Sequence, residues 1–274
     1  TQSRSSAASD VYKRQDLQAI RTTAVKDGDD YIINGAKTWI TNSLNGNSLA
    51  VLVKTDLDAV PAHTGTSMFI VETKDENGEF KAGISVSKMK KLGYRSIDTC
   101  EVVFENVRVP AANLVGEKEG SGFKHAIGGL ELGRINVAAR GAGIARGATE
   151  LAVRYAQERE TFGKAICQHQ AIQLKLGEMA TQVEAARLLI EQAAAKYDAN
   201  ERCDMEAGMA KYFGSEAGVF CANEAMRIFG GYSYSVEYDI ERYYRDAMLM
   251  CIGEGTNEMQ RIIIAKQIID KNKI

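Results

Sequence analysis

The amino-acid sequence predicts an α+β protein: a small antiparallel β-barrel or sandwich, followed by a C-terminal up-and-down four-helix bundle. Three observations carry this prediction. The two prolines, Pro61 and Pro110, both lie in the first part of the chain, and a long stretch without helix breakers, rich in Ala, Leu, Glu, Gln, Arg and Met, reads as helical. Before Pro110, short runs of Val, Ile and Thr recur between turn residues, as in small all-β domains. After it, Ile172, Leu176, Met179, Val183, Ala186 and Ile190 step by four and three residues, which places them on one helix face.

In chain order, the first strong signal is Asp30 to Thr41. Two apolar runs flank Asn34-Gly35, a pair that accepts the positive φ of a tight turn, so a hairpin is expected there. Strands are expected at residues 49–54, 68–72, 83–87 and 99–104, with turn chemistry at Asp75-Glu76-Asn77-Gly78. Helices are expected over residues 123–159, along the stripe beginning at Ile172, and over 205–229 and 257–269. Helices of this length pack most simply side by side. Residues 16–115 therefore read as a β-domain and 116–274 as a helical domain. Residues 1–15 lack apolar periodicity and are rich in Ser and Thr; they are expected to be a disordered leader that belongs to neither.

Composition excludes several functions. A net charge of −2 gives no field for a polyanion, so no nucleic-acid partner is expected. No apolar run approaches the length that spans a bilayer. Cys100, Cys167, Cys203, Cys221 and Cys251 are scattered, without a CxxC or Cys/His cluster. They read as small buried apolar residues in a reducing compartment, with no metal site.

Four segments could carry chemistry, and each also has a structural explanation. Gly141, Gly143 and Gly147 faintly echo a dinucleotide fingerprint, but they sit inside a helical run instead of after a strand, so they read as close helix packing. Gly230-Gly231, between Phe229 and Tyr232, is either a helix C-cap or a backbone that a ligand approaches closely. Arg159, before Thr161-Phe162-Gly163, either complements a helix dipole, with Gly163 closing the helix, or binds a phosphate through its planar fork. Glu254, between Gly253 and Gly255, is either a solvated loop acid or a carboxylate projecting into a cleft, where burial would raise its pKa to about 6–7. Thr256 is expected to N-cap the helix after it.

Taken together and in order, these segments resemble the acyl-CoA dehydrogenase family. The resemblance rests on Tyr31-Ile32-Ile33-Asn34-Gly35 with Lys37, Trp39-Ile40-Thr41-Asn42, Phe104 to Pro110, Arg159 to Lys164, His169-Gln170, Ile228 to Tyr232, Tyr244 to Ala247 and Glu254 to Arg261. It extends from Asp16 to the C-terminus. It implies that a further helical domain precedes these residues in relatives.

The resemblance also implies a chemistry. It makes the protein an FAD-dependent enzyme that oxidises an acyl-CoA to the trans-2-enoyl-CoA and passes electrons to an electron-transfer flavoprotein. Glu254 is implied as the base that takes the α-proton. Some branches of the family carry the base just before the arginine of the Leu130 to Arg134 segment, where this chain has Gly133. Trp39, Ile40 and Thr41 are implied beside the flavin ring. Arg159, Thr161, Phe162, Gln170, Gly230 and Gly231 are implied at the pyrophosphate and adenosine half of FAD, and Thr256 and Glu258 on its side of the last loop. Glu131, Arg134 and Gly255 are implied in substrate binding. Sharing FAD across subunits implies a homotetramer, a dimer of dimers. The expected location is the cytoplasm in a bacterium or the mitochondrial matrix in a eukaryote. The alternatives are an oxidase using O2, a non-enzymatic relative that binds flavin and nucleic acid, and an inactive fragment.

Overall fold

A computed structural model describes residues 20–273. The expected leader, residues 1–15, lies outside them. The chain forms two compact units. One runs through Lys91 and resumes over Arg95–Gly129; the other takes Leu92–Tyr94 and the chain from Leu130 onward.

The first unit is a sheet of β1 (Thr23–Asp27), β2 (Asp30–Thr41), β3 (Ser48–Lys54), β4 (Thr66–Glu72), β5 (Ile84–Lys88) and β6 (Thr99–Pro110). Their spatial order is β4-β3-β1-β2-β6-β5. Neighbours are antiparallel except β1 and β3, which meet in parallel where Thr23 faces Lys54. The sheet is thus mixed and open. Closing the expected barrel would require the edge strands β4 and β5 to pair, and among the described residues they do not. Alternate residues turn inward to form the core, including Tyr31, Ile33, Val51, Val53, Phe69, Val71, Val102, Phe104, Val107 and Val109.

Asn34-Gly35 is not a hairpin turn. It lies within the continuous strand β2, and the turn joining β1 to β2 is at Gly28-Asp29, with Gly28 at φ 64°. Opposite Asn34, β6 carries one extra residue, because Ile33 faces Val107 while Gly35 faces Phe104. This is a β-bulge, and it shifts the inward set on β6 from Val102 and Phe104 to Val107 and Val109. Asn34 holds it by accepting from the Asn106 backbone N–H at 2.8 Å. Gly35, at φ 135°, is required there because a Cβ would lie 2.8 Å from Thr22 Cα. The same tolerance that makes Asn-Gly a turn pair serves the bulge instead.

The second unit is helical. The expected helix over 123–159 breaks at Gly129 into α1 (Gly122–Gly128), which belongs to the sheet unit, and α2 (Leu130–Glu158). A two-residue hairpin of β7 (Glu160–Thr161) and β8 (Lys164–Ala165) follows, then α3 (Gln170–Asp198), α4 (Asp204–Phe229), α5 (Ile240–Ile252) and α6 (Asn257–Lys271). The stripe expected from Ile172 to Ile190 packs inward, with Met179 and Ala186 fully buried, whereas Leu174 and Leu188 off the stripe are exposed. α4 is central and touches α2, α3, α5 and α6. Its buried face is mostly Ala and Gly, which lets neighbouring backbones approach closely. Gly163 does not close a helix: with Phe162 it forms the β7–β8 turn, both at positive φ (51° and 77°), the pattern of a type I′ turn. All five cysteines are free; Cys100, Cys203 and Cys221 are buried, and Cys167 and Cys251 half-buried. Among the described residues no helix is long and apolar enough to cross a membrane, and no His/Cys/Asp/Glu group could hold a metal ion.

Candidate active site and nucleotide cavity

Glu254 sits in the loop between α5 and α6. Its backbone is left-handed, at φ 54°, and Gly255 follows at φ 84°. A non-glycine residue in this region costs about 1–3 kcal/mol and persists only where surrounding contacts fix it. Those contacts are present. The buried Gln260 side-chain amide donates to the Glu254 and Gly255 carbonyls at 3.2 and 3.1 Å. Thr256 caps α6 by accepting from the Met259 N–H, as its position predicts. Glu258 lies in the first turn of α6, where its own backbone N–H and the Thr256 hydroxyl hold its carboxyl below the usual range. Both side chains implied at the cofactor thus already serve the helix start.

The Glu254 side chain is exposed and reaches over α2. A Cβ built on Gly133 would lie 2.8 Å from Glu254 Oε2 and 3.1 Å from Cδ. The two positions from which the resemblance implies a base can arise therefore face the same point, one from helix α2 and the other from the loop between α5 and α6. Arg134, the next residue, has a buried Nε without a hydrogen-bond partner among the described residues. An unmade bond on a buried charged group is costly, more so than on a neutral one, so this donor suits a polar ligand group. Glu131 turns elsewhere. Its hydrogen bond with Asp204, reinforced by burial, holds its carboxyl above the usual range, while that same bond holds Asp204 below it. Glu131 also accepts from the Cys203 thiol at 3.6 Å. It is a half-buried acid bonded to the start of α4.

A separate cavity of about 560 Å³ lies at the far end of α2, lined by Tyr155, Arg159, Thr161, Ile166 and Ile228 to Tyr232. Its size is that of a small-ligand site. Four of the residues implied at FAD, Arg159, Thr161, Gly230 and Gly231, meet here. Phe162 and Gln170 do not line the cavity; both are exposed, Phe162 at 97%. Gly230 caps α4 at φ 62°, so its backbone alone explains the glycine. Gly231 has no such φ, and a Cβ there would meet nothing within 4 Å. Neither backbone nor packing requires that glycine, whereas a side chain would fill space a ligand could use. Tyr155 stacks on Phe229 at 4.1 Å, Tyr238 packs edge-on against both, and the Arg159 guanidinium lies 6.0 Å from the Tyr232 ring. The cavity thus combines an aromatic wall, a cation and open backbone, groups that could hold the rings and phosphates of a cofactor. Tyr155 escaped the sequence reading, although it stands one helical turn before Arg159.

In the sheet unit, Trp39 occupies a second bulge. Lys37 faces Val102 and Ile40 faces Cys100, so β2 has the extra residue, and Trp39 is left-handed at φ 65°. Bulges with such strain commonly aim a side chain at a site. The buried Asp98 anchors the loop after Thr41, accepting from the Leu44 N–H and the Asn45 amide, both at 2.9 Å. Burial opposes its ionisation, but the Leu44 N–H, the Cys100 thiol and the Asn45 amide together hold its carboxyl below the usual range. A further cavity of about 620 Å³ in this unit is lined by His63, Thr64, Lys118 to Ser121, Phe123 and Lys124. The sequence alone singles out none of these residues.

Comparison with known proteins defines the class. Residues 5–107 match the model of the acyl-CoA dehydrogenase middle domain, and residues 120–269 that of the acyl-CoA dehydrogenase C-terminal domain. An acyl-CoA dehydrogenase of Bacillus subtilis (strain 168) is 43% identical over 264 residues, covering 96% of this chain and 67% of that protein. A 3-(aryl)acrylate reductase of Clostridium sporogenes is 42% identical over 255 residues, covering 93% and 65%. The crystal structure of an acyl-CoA dehydrogenase from Geobacillus kaustophilus superposes with a TM-score of 0.88 at 39% identity, over 92% of this chain and 65% of that one. The family these relatives define is one of flavin-dependent oxidoreductases. The chain belongs to the acyl-CoA dehydrogenase family, and it spans about two-thirds of the length of these relatives.

Proposed function

We propose that the protein oxidises the Cα–Cβ bond of an acyl-CoA thioester to the trans-2-enoyl-CoA, with FAD as oxidant and an electron-transfer flavoprotein as acceptor. The observation that carries this reading is the Glu254 carboxylate, held by a fixed left-handed loop over the glycine surface of α2. Gly133 leaves room for that carboxylate itself, since a Cβ there would lie 2.8 Å from Oε2. The α-carbon of a thioester is a weak acid, so its carbonyl must be polarised as the proton leaves; the Glu254 backbone N–H is the protein donor suited to this. Glu254 then takes the α-proton, and bound acyl chain supplies the dry surroundings its exposed carboxylate lacks. FAD, when bound, accepts the β-hydrogen with its electron pair. Arg159 and Thr161, with Gly230 and Gly231, would hold its nucleotide half from one copy of the chain, and the Trp39 to Thr41 segment of another copy its ring. Arg134 offers its spare donor to the substrate, and Lys118 and Lys124 in the sheet-unit cavity suit phosphates of CoA. Phe162, bare at a hairpin tip, supports assembly with further copies, as a dimer of dimers.

The purified protein is expected to be yellow and to lose its flavin colour when an acyl-CoA is added without oxygen. Arg159→Ala should weaken FAD binding by about 10- to 100-fold, the worth of one charge-assisted contact. Bound flavin that no acyl-CoA of a chain-length series bleaches would sink the reading; peroxide formed without a carrier would replace the acceptor with O2.

The same geometry makes Gly133 sensitive. In Gly133→Ala the methyl must displace the Glu254 carboxylate, because the two cannot stand 2.8 Å apart. A base moved by that much is expected to slow flavin reduction by about 10- to 100-fold. Stopped-flow reduction per bound flavin, read beside an undiminished melting temperature, checks it.

A further inference from the structure

We propose that Lys211 and Gln260 are positioning residues for the base, two buried donors that hold residues 253–256 so that the Glu254 carboxylate stays over Gly133. The inference rests on the reading of Glu254 as base.

Lys211 lies on α4 and is fully buried. Its ammonium donates to the Cys251 carbonyl at 3.1 Å, in the last turn of α5, and to Asn257 Oδ1 at 2.8 Å, the first residue of α6. One side chain thus ties together both ends of the loop that carries Glu254. Asn257 is fixed in turn: its Oδ1 also accepts from the Ser215 hydroxyl at 3.1 Å, and its amide donates to Glu216 at 2.7 Å. Gln260, also fully buried, works on the loop's interior through its bonds to the Glu254 and Gly255 carbonyls. Those bonds fix the peptide planes on the C-terminal side of the two left-handed residues.

Stability alone gives a weak reason for this arrangement. A buried ammonium bonded to a carbonyl and an amide, with Glu216 and Glu258 near it but no carboxylate at ion-pair distance among the described residues, is an expensive way to fill space that an apolar side chain could fill. A loop that must present one carboxylate within a few tenths of an ångström does need such fixed donors, since reaction rate depends steeply on placement. Neither residue is assigned contact with the substrate.

In the FAD-loaded enzyme, Lys211→Met and Gln260→Leu are expected to lower the rate constant of anaerobic flavin reduction at saturating acyl-CoA by about 10- to 100-fold. KM and flavin content should change little. The kinetic isotope effect of α-deuterated acyl-CoA should rise, as proton removal becomes more limiting. A role in folding alone would lower yield and melting temperature but leave the rate constant per bound flavin and the isotope effect at wild-type values, and that result overturns the proposal. Glu254→Gln, measured in parallel, separates the two readings. Wild-type reduction by Glu254→Gln refutes the base assignment. An inert Glu254→Gln beside fully active Lys211→Met and Gln260→Leu refutes the positioning role alone. Should Lys211→Met fail to fold, Gln260→Leu, which keeps the buried ammonium, decides the matter by itself.

Discussion

Glu254→Gln is expected to reduce the rate of flavin reduction by about 10³- to 10⁴-fold, the upper part of the range for a lost general base. That corresponds to about 4–5.5 kcal/mol of transition-state stabilisation. Glutamine matches the volume of glutamate, and the Gln260 bonds go to the residue's backbone carbonyl, not its side chain. The loop should therefore keep its conformation, including the φ of 54°. What disappears is the anion able to take the α-proton, an interaction realised only as the reaction proceeds. Losses of that kind lower kcat and kcat/KM together and leave substrate affinity alone. Stopped-flow reduction of the substituted holoenzyme, with flavin content and acyl-CoA affinity measured on the same preparation, checks the prediction. Bleaching close to the wild-type rate would remove Glu254 from the mechanism and leave only the family assignment.

Local chemistry was legible in the sequence wherever it depends on neighbours along the chain. The Ile172 to Ile190 stripe is a period, and Met179 and Ala186 are buried as the period requires. Thr256 caps α6 because a hydroxyl at that position meets the N–H three residues on. Tertiary partners were not legible. Asn34-Gly35 has turn chemistry, but whether its freedom makes a turn or accommodates a bulge depends on Asn106, which lies far along the chain. α5 is absent from the helices the sequence predicts, since only Ile240, Ala247 and Met250 of its residues are fully buried and charged residues separate them. Lys211 reads as a solvated helix lysine; only the ends of α5 and α6 folding against it make it a buried clamp. Glu131 likewise acquires its role from Asp204, a residue on another helix. The candidate site was therefore visible as residue types and hidden as a support structure.

The glycines of α2 give the largest expected effect on stability, and they also show why a motif must be resolved position by position. The sequence groups Gly141, Gly143 and Gly147 as packing glycines. In the structure a Cβ on Gly141 would lie 2.5 Å from the Gly214 carbonyl oxygen and 3.0 Å from Ser215 Cα, both backbone atoms of α4. The seam is reciprocal: a Cβ on Gly214 would meet the Ala138 carbonyl oxygen, and one on Gly218 that of Gly141, each at 2.9 Å. Gly147 faces the Tyr243 hydroxyl, the end of a side chain that can move. Gly143 faces nothing within 4 Å. Gly141→Ala must therefore push two helix backbones apart, since no rotamer change relieves a clash with a carbonyl. Such overpacking costs about 1–3 kcal/mol, enough to outweigh the gain of roughly 1 kcal/mol in helix propensity. Gly143→Ala receives that gain without the clash and is expected to stabilise by about 0.5–1 kcal/mol. Thermal melts of the two variants should move in opposite directions, Gly141→Ala downward by several degrees. Equal shifts of the same sign would mean that α2 and α4 are not in contact through Gly141, and the close seam of Ala138, Gly141, Gly214 and Gly218 would have to be redrawn.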